Sequence, residues 1–94
     1  MGHSSEGLDA RRRKLRFRAW HRGMREVDLI MGCFADSSIA ELADAELCEF
    51  ERLLEVPDRE LLAWVTGETA VPAHYDTALL RRLCAFHRRR AATR

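Results

Sequence analysis

The sequence predicts an all-α protein, a single compact bundle of about five helices. Three observations carry that expectation. Apolar residues recur at i, i+3, i+4 and i+7 in several separate windows, the spacing of a helix with one face turned to a core. No stretch reads as a strand. Short breakers separate the windows, Asp36-Ser37-Ser38, Pro57-Asp58 and Pro72 among them, and connections of this length make neighbouring helices pack antiparallel or at an angle. With 94 residues there is room for one domain. A domain this small buries only about two-thirds of its unfolded surface.

The first helix is expected from about Asp9 to His21. Leu8, Leu15 and Ala19 lie along one side, Phe17, Trp20 and Met24 on a neighbouring one, and Arg11, Arg12, Arg13, Lys14, Arg16 and Arg18 fill the rest. The second, from about Met24 to Phe34, places Val27, Ile30, Met31 and Phe34 on one stripe, which Leu29 and Cys33 widen. This is the central helix of the bundle. Asp36-Ser37-Ser38 ends it, and Ser38 with Glu41 has the form of a capping box. A short turn, Ile39 to Ala43, leads to Asp44 as N-cap of a third helix reaching about Glu55, with Leu47, Phe50, Leu53 and Leu54 inward. Pro57-Asp58 starts the fourth, whose core side is Leu61, Leu62, Trp64 and Val65. Gly67 suits the position just past its end. Glu68 to His74 is a loop, and the fifth helix, about Asp76 to Arg90, buries Leu79, Leu80 and Leu83 with Cys84 or Phe86. Residues 1–8 and 91–94 are expected as disordered tails around a helical domain at 9–90.

Charge is strongly segregated beneath a formal net charge of +1. Residues 1–25 carry eight basic and two acidic side chains, residues 26–77 two basic and thirteen acidic, and residues 78–94 six basic and none acidic. Two cationic ends around an anionic middle favour a chain whose termini fold back over its own centre. No uncharged stretch exceeds seven residues, Leu29 to Ala35 being one, whereas a membrane span needs about 20. Met1-Gly2-His3-Ser4-Ser5-Glu6-Gly7 has no apolar core and so does not read as a secretory signal. The expected location is the cytoplasm, without membrane insertion.

The chemistry-bearing residues do not assemble into a catalytic centre. His3, His21, His74 and His87 fall in different segments, without an H-x-x-x-H or H-E-x-x-H spacing. Cys33, Cys48 and Cys84 form no C-x-x-C and sit in apolar stretches, where a thiol behaves as a small buried hydrophobe. Glu46, Glu49, Glu51 and Glu55 read as a solvated helix face. No glycine-rich loop offers a phosphate cradle. The expectation is a protein with no catalytic residue, no metal and no cofactor of its own.

One cluster stands apart. Arg22-Gly23-Met24-Arg25-Glu26 puts a glycine between charges at the entrance to the most apolar helix. If the segment is helical, Arg22 and Glu26 share a face, in the less favourable order for an i, i+4 pair, so that pairing adds only a few tenths of a kcal/mol. Glycine within a helix costs about 1 kcal/mol relative to alanine. What it offers instead is main chain without a Cβ, which another backbone can approach closely. Two readings stand side by side: Gly23 permits a plain turn, or it marks a docking point bracketed by charge.

These residues resemble the R-G-x-x-E signature of the succinate dehydrogenase assembly factors, the family of bacterial SdhE-type flavinylation factors and of mitochondrial succinate dehydrogenase assembly factor 2. The likeness continues through Val27-Asp28 and Gly32-Cys33-Phe34. It includes Leu42-Ala43-Asp44-Ala45-Glu46-Leu47 and Phe50-Glu51-Arg52-Leu53-Leu54-Glu55, and Asp58, Leu61 and Trp64 stand as in the family's D-x-x-L-x-x-W block. It covers about residues 11–90. The resemblance implies a five-helix bundle without enzymatic activity, a chaperone-like helper that binds the immature flavoprotein subunit of succinate dehydrogenase, and in some bacteria of fumarate reductase. The helper promotes covalent attachment of FAD to a histidine of that subunit, and the FAD is carried by the partner. By motif position, Arg22, Gly23 and Glu26 would face the subunit, with Met24, Arg25 and Asp28 beside them. His21 departs mildly from the pattern, standing where relatives often carry a basic residue. Phe17, Trp20 and Met24, near the motif, suit a monomer or a weak dimer.

A rival reading is a nucleic-acid-binding or antitoxin-type regulatory module. Its basis is the Arg11–Arg18 run with Phe17 and Trp20 interleaved, together with Arg81-Arg82 and Arg88–Arg90, since phosphate binding needs clustered cations. Against it stand the anionic middle, a pI near 7.8 and the lack of a recognition helix with short polar residues for base edges. The expectation is a protein partner and no nucleic acid.

Overall fold

A computed structural model describes residues 7–92, and among them are five α-helices and two short 3-10 turns, with no strand. The helices are α1 (Ala10–Trp20), α2 (Arg25–Ser38), α3 (Asp44–Leu54), α4 (Asp58–Val65) and α5 (Ala78–Ala92). The 3-10 turns are Ile39–Glu41 and Ala73–Tyr75. The all-α bundle expected from the periodicity is what forms.

Local chemistry explains where each helix starts and stops. Asp9 caps α1, its carboxylate accepting the Arg12 N–H at 2.8 Å. α2 runs four residues beyond the expected end at Phe34, and the Ile39 N–H still bonds the Ala35 carbonyl. Asp36, Ser37 and Ser38 therefore do not break it: Ser38 is buried and makes no capping hydrogen bond. Packing overrides the local preference of these residues for turns. The N-cap of α3 is Ala43 rather than Asp44, and Glu46 reaches back to accept the Ala43 N–H at 2.8 Å. Past α4, Gly67 has φ +82°, its N–H bonds the Trp64 carbonyl at 3.2 Å, and the Glu68 N–H bonds the Ala63 carbonyl at 2.8 Å. That pair of bonds is a Schellman closure, which favours glycine at this position. The Thr77 hydroxyl accepts from the Leu80 N–H at the start of α5.

The helix α2 is the hub, touching α1, α4 and α5, while α1 also rests on α3 and α5 closes over α3 and α4. α1 and α2 run antiparallel, because the Trp20 end of α1 meets Gly32 and the Arg12 end meets Ile39. The core gathers Leu15, Val27, Met31, Phe34, Phe50, Leu61, Leu80 and Leu83, all but sealed from solvent. Phe34 sits at its centre, 6.2 Å from Phe50 and edge-on to Phe86 at 5.6 Å between ring centroids. Leu29, expected in the core stripe, is instead 38% exposed on the outer side of α2. Cys48, expected buried, is exposed, whereas Cys33 and Cys84 are half-buried.

The segregated charges meet. Arg11 pairs with Glu51 at 3.2 Å and Arg18 with Glu55 at 2.7 Å, joining cationic α1 to anionic α3. Arg82 on α5 reaches Glu46 at 3.2 Å. The expected tail at 91–94 is overtaken by α5, which continues through Ala92, and Leu8 of the expected tail at 1–8 packs against the core. Residues 1–6 and 93–94 lie outside the described residues.

Candidate functional site, the turn between the first two helices

Arg22, Gly23 and Met24 form a tight turn between α1 and α2, and Arg25 and Glu26 are the first residues of α2. α1 ends at Trp20, Gly23 has φ +110°, and α2 begins at Arg25 with Met24 as its extended N-cap. Arg22 and Glu26 therefore do not share a helical face. Arg22 is shielded from solvent whereas Glu26 is exposed.

Arg22 turns inward. Its side chain is only 8% exposed, and its Nε donates to Asp58 Oδ1 at 2.8 Å. Its two Nη groups donate to the main-chain carbonyls of Leu54 and Val56. Those carbonyls close the C-terminal end of α3 and begin the link to α4, where helix geometry supplies no donors. One guanidinium, with five N–H groups in a fixed fork, satisfies both carbonyls and a carboxylate together. The helix dipoles favour the arrangement, since the cation lies at the negative end of α3 and Asp58 in the first turn of α4. Arg22, expected to face a partner, is in this chain a clasp on the α3–α4 joint.

The main chain of the turn is held from the other side. Asp28, in the first turn of α2, accepts the Arg22 N–H at 2.6 Å and the Gly23 N–H at 3.3 Å through the same oxygen, Oδ1. Asp28 is half-buried and committed to this role.

What faces outward is Gly23, Arg25 and Glu26. A Cβ built on Gly23 would meet nothing within 4 Å, so the bare main chain opens onto free space. Met24 is half-buried, with its side chain against the core. Beyond Glu26 the surface continues into a groove of about 480 Å³ between α2, α4 and α5, lined by Glu26, Leu29, Ile30, Leu62 and His87 among others. Among the described residues His87 Nδ1 is buried without a hydrogen-bond partner, and burial, then the neighbouring Arg90 cation, pushes its imidazole pKa below the usual value. On the opposite side of the turn Phe17, 62% exposed, stacks on His21 with ring centroids 3.9 Å apart.

Sequence reasoning missed two residues of this region. Asp58 lies 36 positions from Arg22, so only the fold brings them together. Gly32, in the middle of α2, is where the Trp20 indole lies flat against the main chain; a Cβ there would come within 2.2 Å of the ring. Its signals were a glycine inside an apolar helix and its place in the Gly32-Cys33-Phe34 stretch of the family likeness.

Other chemistry is sparse. Among the described residues no group of three or more His, Cys, Asp or Glu side chains is placed to hold a metal ion, and no helix is long and apolar enough to cross a membrane. Burial pushes the Cys84 thiol pKa up, away from reactivity. The basic run of α1 is largely occupied by its own chain: Arg11 on Glu51, Arg12 on Asp9 and on the carbonyls of Ile39 and Leu42, and Arg18 on Glu55. It does not form an open cationic stripe for phosphates.

The molecule is thus a helical bundle that displays an unshielded turn of main chain beside an exposed cation and an exposed anion. The sequence matches the family described as the flavinator of succinate dehydrogenase over residues 13–87, and the chain belongs to that family. It is 40% identical over 82 residues to the FAD assembly factor SdhE of Acetobacter pasteurianus, covering 87% of this chain and 75% of that protein. It is 36% identical to the mitochondrial succinate dehydrogenase assembly factor 2 of Mycosarcoma maydis and 32% to that of Dictyostelium discoideum, each over 79% of this chain. The chain spans 31% and 52% of the lengths of those two mitochondrial relatives. No solved structure matches it. The relatives are named assembly factors, in keeping with the non-enzymatic role that the sequence implies, and the nucleic-acid reading is not favoured.

Proposed function

We propose that this protein docks on the immature flavoprotein subunit of succinate dehydrogenase and promotes covalent attachment of FAD to a histidine of that subunit. The observation that carries the reading is the open edge at Gly23. Its φ is +110° and nothing approaches its Cβ position, so a partner's main chain or side chain can come up against bare peptide. Arg25 and Glu26, both exposed, set register and orientation on the partner through charge. The Glu26–Leu29 groove beside them offers apolar area.

Attachment replaces an 8α C–H bond and the histidine N–H bond by a C–N bond. The two electrons and two protons released reduce the isoalloxazine itself, so every reacting group belongs to the partner. The helper contributes by binding that arrangement of the subunit in which histidine and isoalloxazine are aligned better than it binds others. Alignment of reacting groups can supply several kcal/mol of a barrier without any added catalytic residue. This protein thus acts without a catalytic centre, and the flavin is carried by its client. Fumarate reductase, whose flavoprotein subunit undergoes the same attachment, is a second client by the same chemistry.

Deleting the gene and measuring in-gel flavin fluorescence of the succinate dehydrogenase large subunit tests the proposal. Loss of fluorescence, restored by the wild-type gene but not by Gly23→Arg, is expected. Fluorescence that persists in the deletion strain overturns it.

A further inference from the structure

We propose that Asp58, at the start of α4, is a positioning residue for the docking turn and acts on it through Arg22. The inference rests on the docking reading above and extends it to a residue far from the turn in sequence. Three observations support it. The Arg22 guanidinium is anchored in three places at the α3–α4 joint, by Asp58 Oδ1 at 2.8 Å and by the carbonyls of Leu54 and Val56. The Arg22 N–H is fixed by Asp28 Oδ1 at 2.6 Å, and the same oxygen takes the Gly23 N–H. Beyond that N–H bond nothing packs on Gly23: no atom lies within 4 Å of where its Cβ would stand.

The position of the exposed edge is therefore set from beneath. α4 fixes the Arg22 side chain, α2 fixes the Arg22 main chain, and Gly23 follows as the next residue. Asp58 is the carboxylate that pairs with the guanidinium, and its side chain is 21% exposed, well shielded from competing water. The D-x-x-L-x-x-W stretch that begins at Asp58 and the Arg22–Glu26 turn thus form two halves of one latch. A docking edge must arrive at its partner already in shape, because ordering a loop on binding subtracts from affinity.

The test compares Asp58→Ala and Asp58→Asn with Arg59→Ala, the neighbouring exposed residue with no part in the latch. Two measurements are made on each folded protein: amide hydrogen exchange by NMR, and affinity for the purified apo flavoprotein subunit. In Asp58→Ala the Arg22 amide should exchange faster relative to core amides such as that of Phe50. Affinity should fall roughly two- to thirtyfold, the range seen for residues that act through others. Asp58→Asn, which keeps an oxygen acceptor, should lie between, and Arg59→Ala should match wild type. A role in general stability alone would speed all amides together and leave the affinity of the folded protein unchanged, and that result overturns the proposal. Selective exchange at Arg22 with unchanged capture by both Asp58→Ala and Gly23→Arg keeps the latch but overturns the docking reading. Unchanged exchange with weakened capture makes Asp58 a contact rather than a positioning residue, which also overturns the proposal.

Discussion

Gly32 has no side chain because the Trp20 indole occupies the space where one would be. Three indole carbons lie 2.2–2.6 Å from the position of a Cβ there, so alanine cannot fit unless the ring moves. The ring is not free to move far, since its Nε1 donates to Asp36 Oδ1 at 3.2 Å. Gly32→Ala therefore trades a gain of about 1 kcal/mol in helix propensity against overpacking of typically 1–3 kcal/mol. The expected result is a net loss of stability, read as a lower urea midpoint, with a shift in Trp20 fluorescence that reports the displaced ring. Gly23 raises the opposite question, because there the space is open and only the backbone objects. At φ +110° an L-residue carries strain of about 1–3 kcal/mol, whereas a D-residue carries little. A synthetic chain with D-alanine at position 23 separates the two roles. If closeness of approach matters, the D-alanine protein should be as stable as wild type yet bind the apo subunit poorly. Binding equal to wild type would mean that only the turn geometry counts.

At the scale of elements, the same comparison shows what the sequence made legible. The periodic stripes of α2, α3 and α5 placed Val27, Ile30, Met31, Phe34, Leu47, Phe50, Leu79, Leu80 and Leu83 in the core, and all are buried. Periodicity depends only on local spacing, so one chain suffices to see it. Helix ends were less legible, because Asp36-Ser37-Ser38 reads as a breaker until Ser38 is known to be buried. Charge around a glycine singled out the segment in which Gly23, Arg25 and Glu26 are exposed. The inward turn of Arg22 was not legible, for its partners lie on α3, α4 and the link between them, and no local pattern names them. The helix α5 supplies a test of its own. His87 carries a depressed pKa from burial, with Arg90 adding to the effect and Glu26 across the same groove. A histidine with a lower pKa folded than unfolded takes up protons preferentially on unfolding. Its contribution is thus intact above the unfolded pKa of about 6.5 and is lost as pH falls from there toward the folded value. The stability difference between His87→Leu and wild type should widen in favour of the variant as pH drops below that point. A difference that stays flat with pH would show that His87 is not held neutral by burial.

Across the whole molecule, charge does two separable jobs. The pairs between α1 and α3 are half open to water: Arg11 and Glu51 are 38% and 39% exposed, and Arg18 and Glu55 39% and 72%. Pairs of that kind contribute about 0.2–1 kcal/mol each and weaken as salt rises. They explain why two cationic ends and an anionic middle fold into one body, and why few of the α1 arginines are left for another polyanion. The Arg22–Asp58 pair is different, being shielded and tied to two carbonyls, so salt should reach it little, while removing one partner leaves buried polar groups unmet at a cost of about 3–5 kcal/mol. Urea unfolding, which leaves ionic strength adjustable, distinguishes the two. Raising sodium chloride from low to high concentration should lower the stability of the wild-type protein modestly. Arg18→Ala should lose most of its deficit at high salt, because the pair it lacks is screened there in wild type too. Arg22→Ala should keep its deficit at every salt concentration. If the Arg22→Ala deficit instead fades as salt rises, the clasp at the α3–α4 joint is an ordinary surface pair. The edge at Gly23 would then be held by Asp28 alone.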